Sequence, residues 1–191
     1  MENRVASLLI ESARVKEELA SNEDELKRIV FVANSIIEAL NNGRKVVLFG
    51  NGGSAADAQH IACEFVGKFK KERRGLPAIS LTTNTSCLTA IANDYSYDLA
   101  FSRQVEAFVN RGDIVIGIST SGMSKSVING VIRARELGAI TVGLTGKGGG
   151  ELAKHVDVCI RVPSSDTPRI QEAHITVGHI ISQLVEEALF E

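Results

Sequence analysis

From residue 44 onward the chain alternates five short apolar runs with amphipathic helical patterns, and no other feature limits its fold as strongly. The runs are KVVLF (45–49), AISL (78–81), DIVIGI (113–118), AITVGL (139–144) and DVCIRV (157–162). Helical spacing fills 54–70, 85–93, 98–110, 124–137 and 169–190. Strands that alternate with helices imply a parallel sheet, because each parallel pair needs a crossover connection. Runs that are apolar throughout belong to strands covered on both faces. The expectation is an α/β fold with helices on both sides of a parallel sheet.

Residues 1–42 follow a different pattern. Val5, Leu8, Leu9, Ser12 and Ala13 share one helical face, and Leu26, Ile29, Val30, Ala33, Ile37 and Leu40 share another. The turn SNEDE between them offers Ser21 or Asn22 as an N-cap, and Gly43 ends the second helix. Two helices cannot bury both stripes alone, so they must pack on the rest of the chain or on another subunit. With no internal repeat and no low-complexity linker, 1–191 reads as one domain. It comprises helices over 1–42 and an α/β core over 43–191.

Composition removes several function classes. A 44% hydrophobic content supports a sizeable core, and a net charge of −2 offers no basic surface for nucleic acid or membrane. No apolar run approaches the ~20 residues that span a bilayer. The opening MENRVASLLIESARVKEE carries charge at Glu2, Arg4 and Glu11, unlike a signal peptide. Cys63, Cys87 and Cys159 are odd in number and far apart, which argues against a disulfide framework and fits a cytoplasmic protein.

In a parallel sheet, ligands bind beyond the C-terminal ends of the strands. The stretch GISTSGMSKSVINGVIRA (117–134) lies at such an end, with Ser119, Thr120, Ser121 and Ser124 within six residues. Hydroxyls beside the free N–H groups of a helix start make an anion site suited to phosphate. The loop GNGGSA (50–55) also joins a strand to a helix, with Ser54 and Asp57 spaced as a capping box. It satisfies G-x-G-x-x-A, but the next strand ends in threonines and Asn84 where a dinucleotide site needs an acidic residue. GLTGKGGG (143–150) is not a P-loop, because Lys147 precedes glycine rather than Ser/Thr.

Acid–base candidates form two groups. His60 and Glu64 share a helical face at i,i+4. Gln171, Glu172, His174 and His179 lie along the last helix. A carboxylate and an imidazole can move protons beside a carbonyl, and His, Glu, Gln and His can bind zinc. Gln171 and His179 are about 12 Å apart along an ideal helix, so one metal would need long side chains or two subunits. Asn93 and Asp94 end a helical pattern, where polar groups could meet sugar hydroxyls.

Together GNGGSAADAQH, TAIANDYSYD, ISTSGMSKSV, LTGKGGGELAKHVD and RIQEAHITVGH resemble the sugar isomerase (SIS) domain family, and within it the sedoheptulose-7-phosphate (phosphoheptose) isomerases. The resemblance spans essentially the whole chain. It implies a three-layer α/β/α sandwich with a flavodoxin-like sheet, a homotetramer, and active sites built between subunits. By motif position, Asn51, Gly52, Gly53, Ser54, Asn93, Asp94, Ser119, Thr120, Ser121, Ser124 and Gln171 would bind sugar phosphate. Glu64 and His179 would be the acid–base pair, Glu64 also touching substrate. His60, Glu64, Gln171 and His179 would hold one zinc ion per subunit. Pro168 stands where some relatives have Asp, leaving Asp166 or Thr167 to replace that contact. The implied reaction is aldose–ketose isomerisation of sedoheptulose 7-phosphate, feeding heptose precursors of surface glycans such as lipopolysaccharide. Two alternatives are another sugar-phosphate isomerase, such as one for a hexulose phosphate, and a non-catalytic paralogue that binds the replication initiator. A binding module needs neither the carboxylate at 64 nor the imidazole at 179. The long apolar stripes and the Gln171–His179 spacing lead to a further expectation: Glu64 or His179 faces substrate held mainly by a neighbouring subunit.

Overall fold

The computed structural model describes residues 1–190. Two helices open it, α1 (Glu2–Ala20) and α2 (Glu23–Asn41). Asn22 is the N-cap of α2: its side chain accepts from the N–H groups of Asp24 and Glu25. The core then runs β1 (Val46–Gly50), α3 (Gly53–Val66), β2 (Ala78–Ser80) and α4 (Thr85–Asp94). It continues with α5 (Ser102–Phe108), β3 (Ile114–Ile118), α6 (Lys125–Glu136), β4 (Ile140–Thr145), β5 (Val158–Arg161) and α7 (Thr167–Leu189).

All five strands are parallel, in the order β2-β1-β3-β4-β5. This is the expected flavodoxin-like order. Its switch point lies between β1 and β3, where Gly50 pairs with Ile118. Successive strand side chains point to opposite faces, so each strand feeds two cores. Val46, Leu48, Ile114 and Ile116 pack with Ile29, Ile36, Phe65, Val177 and Ile181 from α2, α3 and α7. Val47, Phe49 and Val115 pack with Phe101, Val105, Val127 and Val131 from the α5 and α6 side. Every residue of β1 and β3 is buried, which is why these strands read as unbroken apolar runs.

Two helical expectations change. The pattern over 98–110 becomes a 3-10 turn (Tyr97–Leu99) followed by the short α5. The pattern over 54–70 stops at Val66, with Gly67 as the C-cap. The segment after it is a strap laid across α7.

Candidate active site

The two loops beyond β1 and β3 meet because their strands are neighbours. Asn51 Nδ2 donates to Ser126 Oγ at 3.0 Å, and Tyr97 Oη donates to Asn51 Oδ1 at 2.7 Å. Ser119 is buried and donates to Ser124 Oγ at 3.1 Å. Ser121 is exposed and accepts from the Met123 N–H at 3.1 Å. Neither α6, with N-cap Ser124, nor α3, with N-cap Gly52, has a side-chain cap on its first N–H groups. The Ser54–Asp57 capping box does not form. Instead Ser54 is buried where a Cβ on Gly50 would strike it at 2.8 Å. Two helix starts thus present uncapped N–H groups at one strand edge, the arrangement that favours phosphate.

A cleft of about 200 Å³ opens beside this loop. Thr120, Ser121, Lys147, Ser164, Ser165 and Thr167 line it. From the sequence Lys147 serves only to exclude a P-loop, and Ser164 and Ser165 belong to no motif. Their only signal is that each follows the C-terminal end of a strand. Of the two replacements for the acidic residue at Pro168, Thr167 lines the cleft and Asp166 is the N-cap of α7. A larger cleft, about 410 Å³, lies near Arg44 and Arg111 at the other end of the strands, away from the loops.

Gln171 extends from α7 onto the start of α3. A Cβ at Gly53 would come within 2.3 Å of its amide nitrogen, so any side chain there would displace the Gln171 amide. Gly122, with φ +66°, lets the serine loop approach Gly149, whose carbonyl oxygen would lie 2.2 Å from an added Cβ. Asn93 and Asp94 lie on the exposed end of α4, where Asn93 Nδ2 donates to Asp94 Oδ1 at 2.9 Å. Among the described residues no hydrogen bond joins them to the loops above.

Two turns farther along α3 and α7, His60, Glu64 and His179 converge. Glu64 Oε1 is 3.0 Å from His60 Nε2, and the Nε2 atoms of His60 and His179 face each other at 3.3 Å. One ligand atom from each lies within 4.8 Å of the others. Two nitrogens at 2.0–2.1 Å from a tetrahedral zinc are separated by roughly 3.3 Å, so this donor set fits that ion. Gln171 is not brought to the cluster in this chain, because its amide lies at Gly53, seven residues before His60. That separation is about 10.5 Å of helix. Glu64 and His179 belong to one chain's cluster, because α3 and α7 pack side by side. Burial pushes the nearby Asp57 up to about 6 against the lowering field of His60, and Asp57 Oδ2 has no partner among the described residues.

Comparison with known proteins agrees along the whole chain. The SIS domain family matches residues 11–146. A phosphoheptose isomerase from Aquifex aeolicus is 55% identical over 191 residues, covering 100% of this chain and 99% of the relative. One from Aneurinibacillus thermoaerophilus is 54% identical over 190 residues, covering 100% and 96%. The structure of the phosphoheptose isomerase from Neisseria gonorrhoeae is similar with a TM-score of 0.91 at 42% identity, over 97% of this chain and 98% of that one. A Methanococcus jannaschii protein with an inferred 3-hexulose-6-phosphate isomerase function shares the fold alone. It has a TM-score of 0.66 at 16% identity, over 97% and 91%. The parallel sheet, the hydroxyl loop and the full-length identity therefore agree: this chain belongs to the SIS domain family, among its phosphoheptose isomerases.

Proposed function

We propose that the protein isomerises sedoheptulose 7-phosphate to D-glycero-D-manno-heptose 7-phosphate, as an aldose–ketose isomerase in heptose precursor biosynthesis. The observation that carries the reading is the convergence of Glu64 with His60 and His179 on a scaffold whose strand ends carry an anion loop. Neither rival explains that combination as well. A binding module has no use for the cluster, and the likeness to the hexulose-phosphate protein reaches only the fold.

Roles follow from position. Ser119, Thr120, Ser121 and Ser124, with the first N–H groups of α6, hold the phosphate. Asn51, Gly52, Gly53, Ser54, Asn93, Asp94 and Gln171 orient the polyol chain. Glu64, with its side chain 18% exposed, can reach solvent-borne substrate from a partly desolvated position. It takes the proton from C2 or C1 and returns it to the other carbon through an enediol. His179 moves the proton at the carbonyl and hydroxyl oxygens. His60, Glu64 and His179 would hold zinc. Zinc bound there would supply Lewis-acid polarisation of the carbonyl. The start of α3, which adjoins the serine loop through Asn51 and Ser126, and the cluster are two helical turns apart, and the exposed apolar residues of α1 and α2 are free to meet other copies; both support a tetramer in which a loop and a cluster from neighbouring subunits share one substrate.

The test is incubation of the purified protein with sedoheptulose 7-phosphate, alongside hexulose phosphates and a zinc chelator. Conversion of the heptulose phosphate in preference to the hexulose phosphates is the expected result. Activity lost to the chelator and restored by zinc supports the metal role. No turnover of any sugar phosphate after zinc loading refutes the enzyme reading.

A further inference from the structure

Glu186 lies on α7 seven residues beyond His179, and it is only 1% exposed. Four donors meet its carboxylate. Oε1 accepts from the Phe69 N–H at 3.0 Å and from Arg73 Nε at 2.8 Å. Oε2 accepts from the N–H groups of Lys70 at 2.7 Å and Lys71 at 3.0 Å. The Arg73 side chain is just as enclosed. Its other nitrogens donate to the carbonyls of Glu64 at 2.7 Å, Phe65 at 2.9 Å and Gly67 at 3.1 Å, which form the end of α3.

A buried ion pair is weak grounds for a stabilising role, because apolar residues of equal volume often do as well. The position of this pair points elsewhere. It ties the strap from Gly67 to Arg73 to α7 and to the C-terminal turn of α3. Through the strap, Phe69 lies against His179, with ring centroids 5.6 Å apart at 41°. Through Arg73, the backbone carbonyl of Glu64 is held directly. One carboxylate therefore connects both members of the proposed acid–base pair. Burial raises the Glu186 carboxyl, but the N–H groups of Lys70, Phe69 and Lys71 and the Arg73 guanidinium outweigh it and hold it down to about 2. Glu186 stays an anion at any working pH.

We infer that Glu186 is a positioning residue for this reaction: with Arg73 and the 67–73 strap it sets where Glu64 and His179 stand, without touching substrate. The inference rests on Glu64 and His179 carrying the proton transfers. Groups that orient metal-site and catalytic side chains in this way are typically worth about 10–100-fold in activity or metal affinity.

The test compares full-length Glu186→Gln, Phe69→Leu and Glu64→Gln. The readouts are circular dichroism, kcat and KM for sedoheptulose 7-phosphate, and zinc affinity by competition with a chromophoric chelator. Folded Glu186→Gln should lose about 10–100-fold in kcat and roughly tenfold in zinc affinity. Its KM should stay within about threefold, because the phosphate loop is remote from the strap. If Glu186→Gln does not fold, Phe69→Leu decides the matter with the same expected losses, since it keeps apolar cover and removes only the ring against His179. A deciding variant whose kcat and zinc affinity both stay within about twofold of the unmutated chain, even with a lowered melting temperature, overturns the inference. Full turnover by Glu64→Gln instead overturns the underlying assignment of the acid–base pair, and this inference with it.

Discussion

At the scale of single residues, His174 shows how burial alone fixes a charge state. It is fully enclosed, its Nε2 is 3.1 Å from the Thr145 carbonyl oxygen, and its Nδ1 has no partner among the described residues. Burial pushes its pKa down to about 4, despite the bond to Thr145. The folded chain thus keeps His174 neutral where the unfolded chain protonates it near 6.5. Above that pH the residue contributes no pH dependence. As pH falls from about 6.5 to about 4, the unfolded state takes up the extra proton, and stability falls by on the order of 3 kcal/mol. Urea midpoints at fixed protein concentration should therefore drop between pH 7 and pH 5. His174→Gln, whose amide can still donate to Thr145, should flatten that part of the profile. An unchanged slope in the variant would assign the pH dependence to other groups. The sequence placed His174 beside Gln171 and Glu172 as a possible acid–base group. Only the packing of α7 on the sheet shows that it faces the core.

At the scale of elements, the serine loop was legible because its ingredients are local. A strand end, four hydroxyls and a helix start are all within reach of one window of sequence. The five strands were legible to within one or two residues for the same reason, since strands buried on both faces are apolar throughout. The strap was not legible. Residues 67–70 continue an acceptable helical pattern, and what turns them aside is a carboxylate more than a hundred positions away, bonded to main-chain N–H groups that no side-chain pattern encodes. The loop yields a prediction of its own. Ser121→Ala leaves the buried Ser119–Ser124 contact in place, so it should keep kcat and raise KM for the phosphorylated sugar. A lost hydrogen bond to a charged group costs about 1.5–3 kcal/mol, which is roughly 10–150-fold. Steady-state kinetics with sedoheptulose 7-phosphate and with unphosphorylated sedoheptulose check it. Equal KM values for the two sugars would show that the loop does not grip phosphate.

At the scale of the whole molecule, α1 buries only Leu19, while Leu9 is 67% exposed and Val5, Ile10, Val30, Phe31 and Ile180 are exposed with it. The apolar stripe of α2 divides: Ile29, Ala33 and Leu40 enter this chain's core, whereas Leu26 and Val30 face out. In α7, Ile181 and Val185 also belong to the chain's own core. The outward residues are those available to a helical interface between copies, and light scattering should report a tetramer. Because Glu64 and His179 share one chain's cluster, mixing Glu64→Gln with His179→Ala subunits should restore nothing: every cluster is defective. Mixing Glu64→Gln with a Ser119→Ala, Ser121→Ala double variant should restore activity if loop and cluster come from different subunits. No recovery there would place the whole site within one chain. The strap has a consequence for how the protein comes into being. Its anchor is Glu186, and it closes contacts 113 to 117 residues apart. Closures of such span form late. During folding, strand pairs such as β1 with β3 can form while the strap is still loose. If Glu64 and His179 carry the proton transfers as proposed, the strap's N–H groups should gain hydrogen-exchange protection after those of β1 and β3, and activity should return only with them.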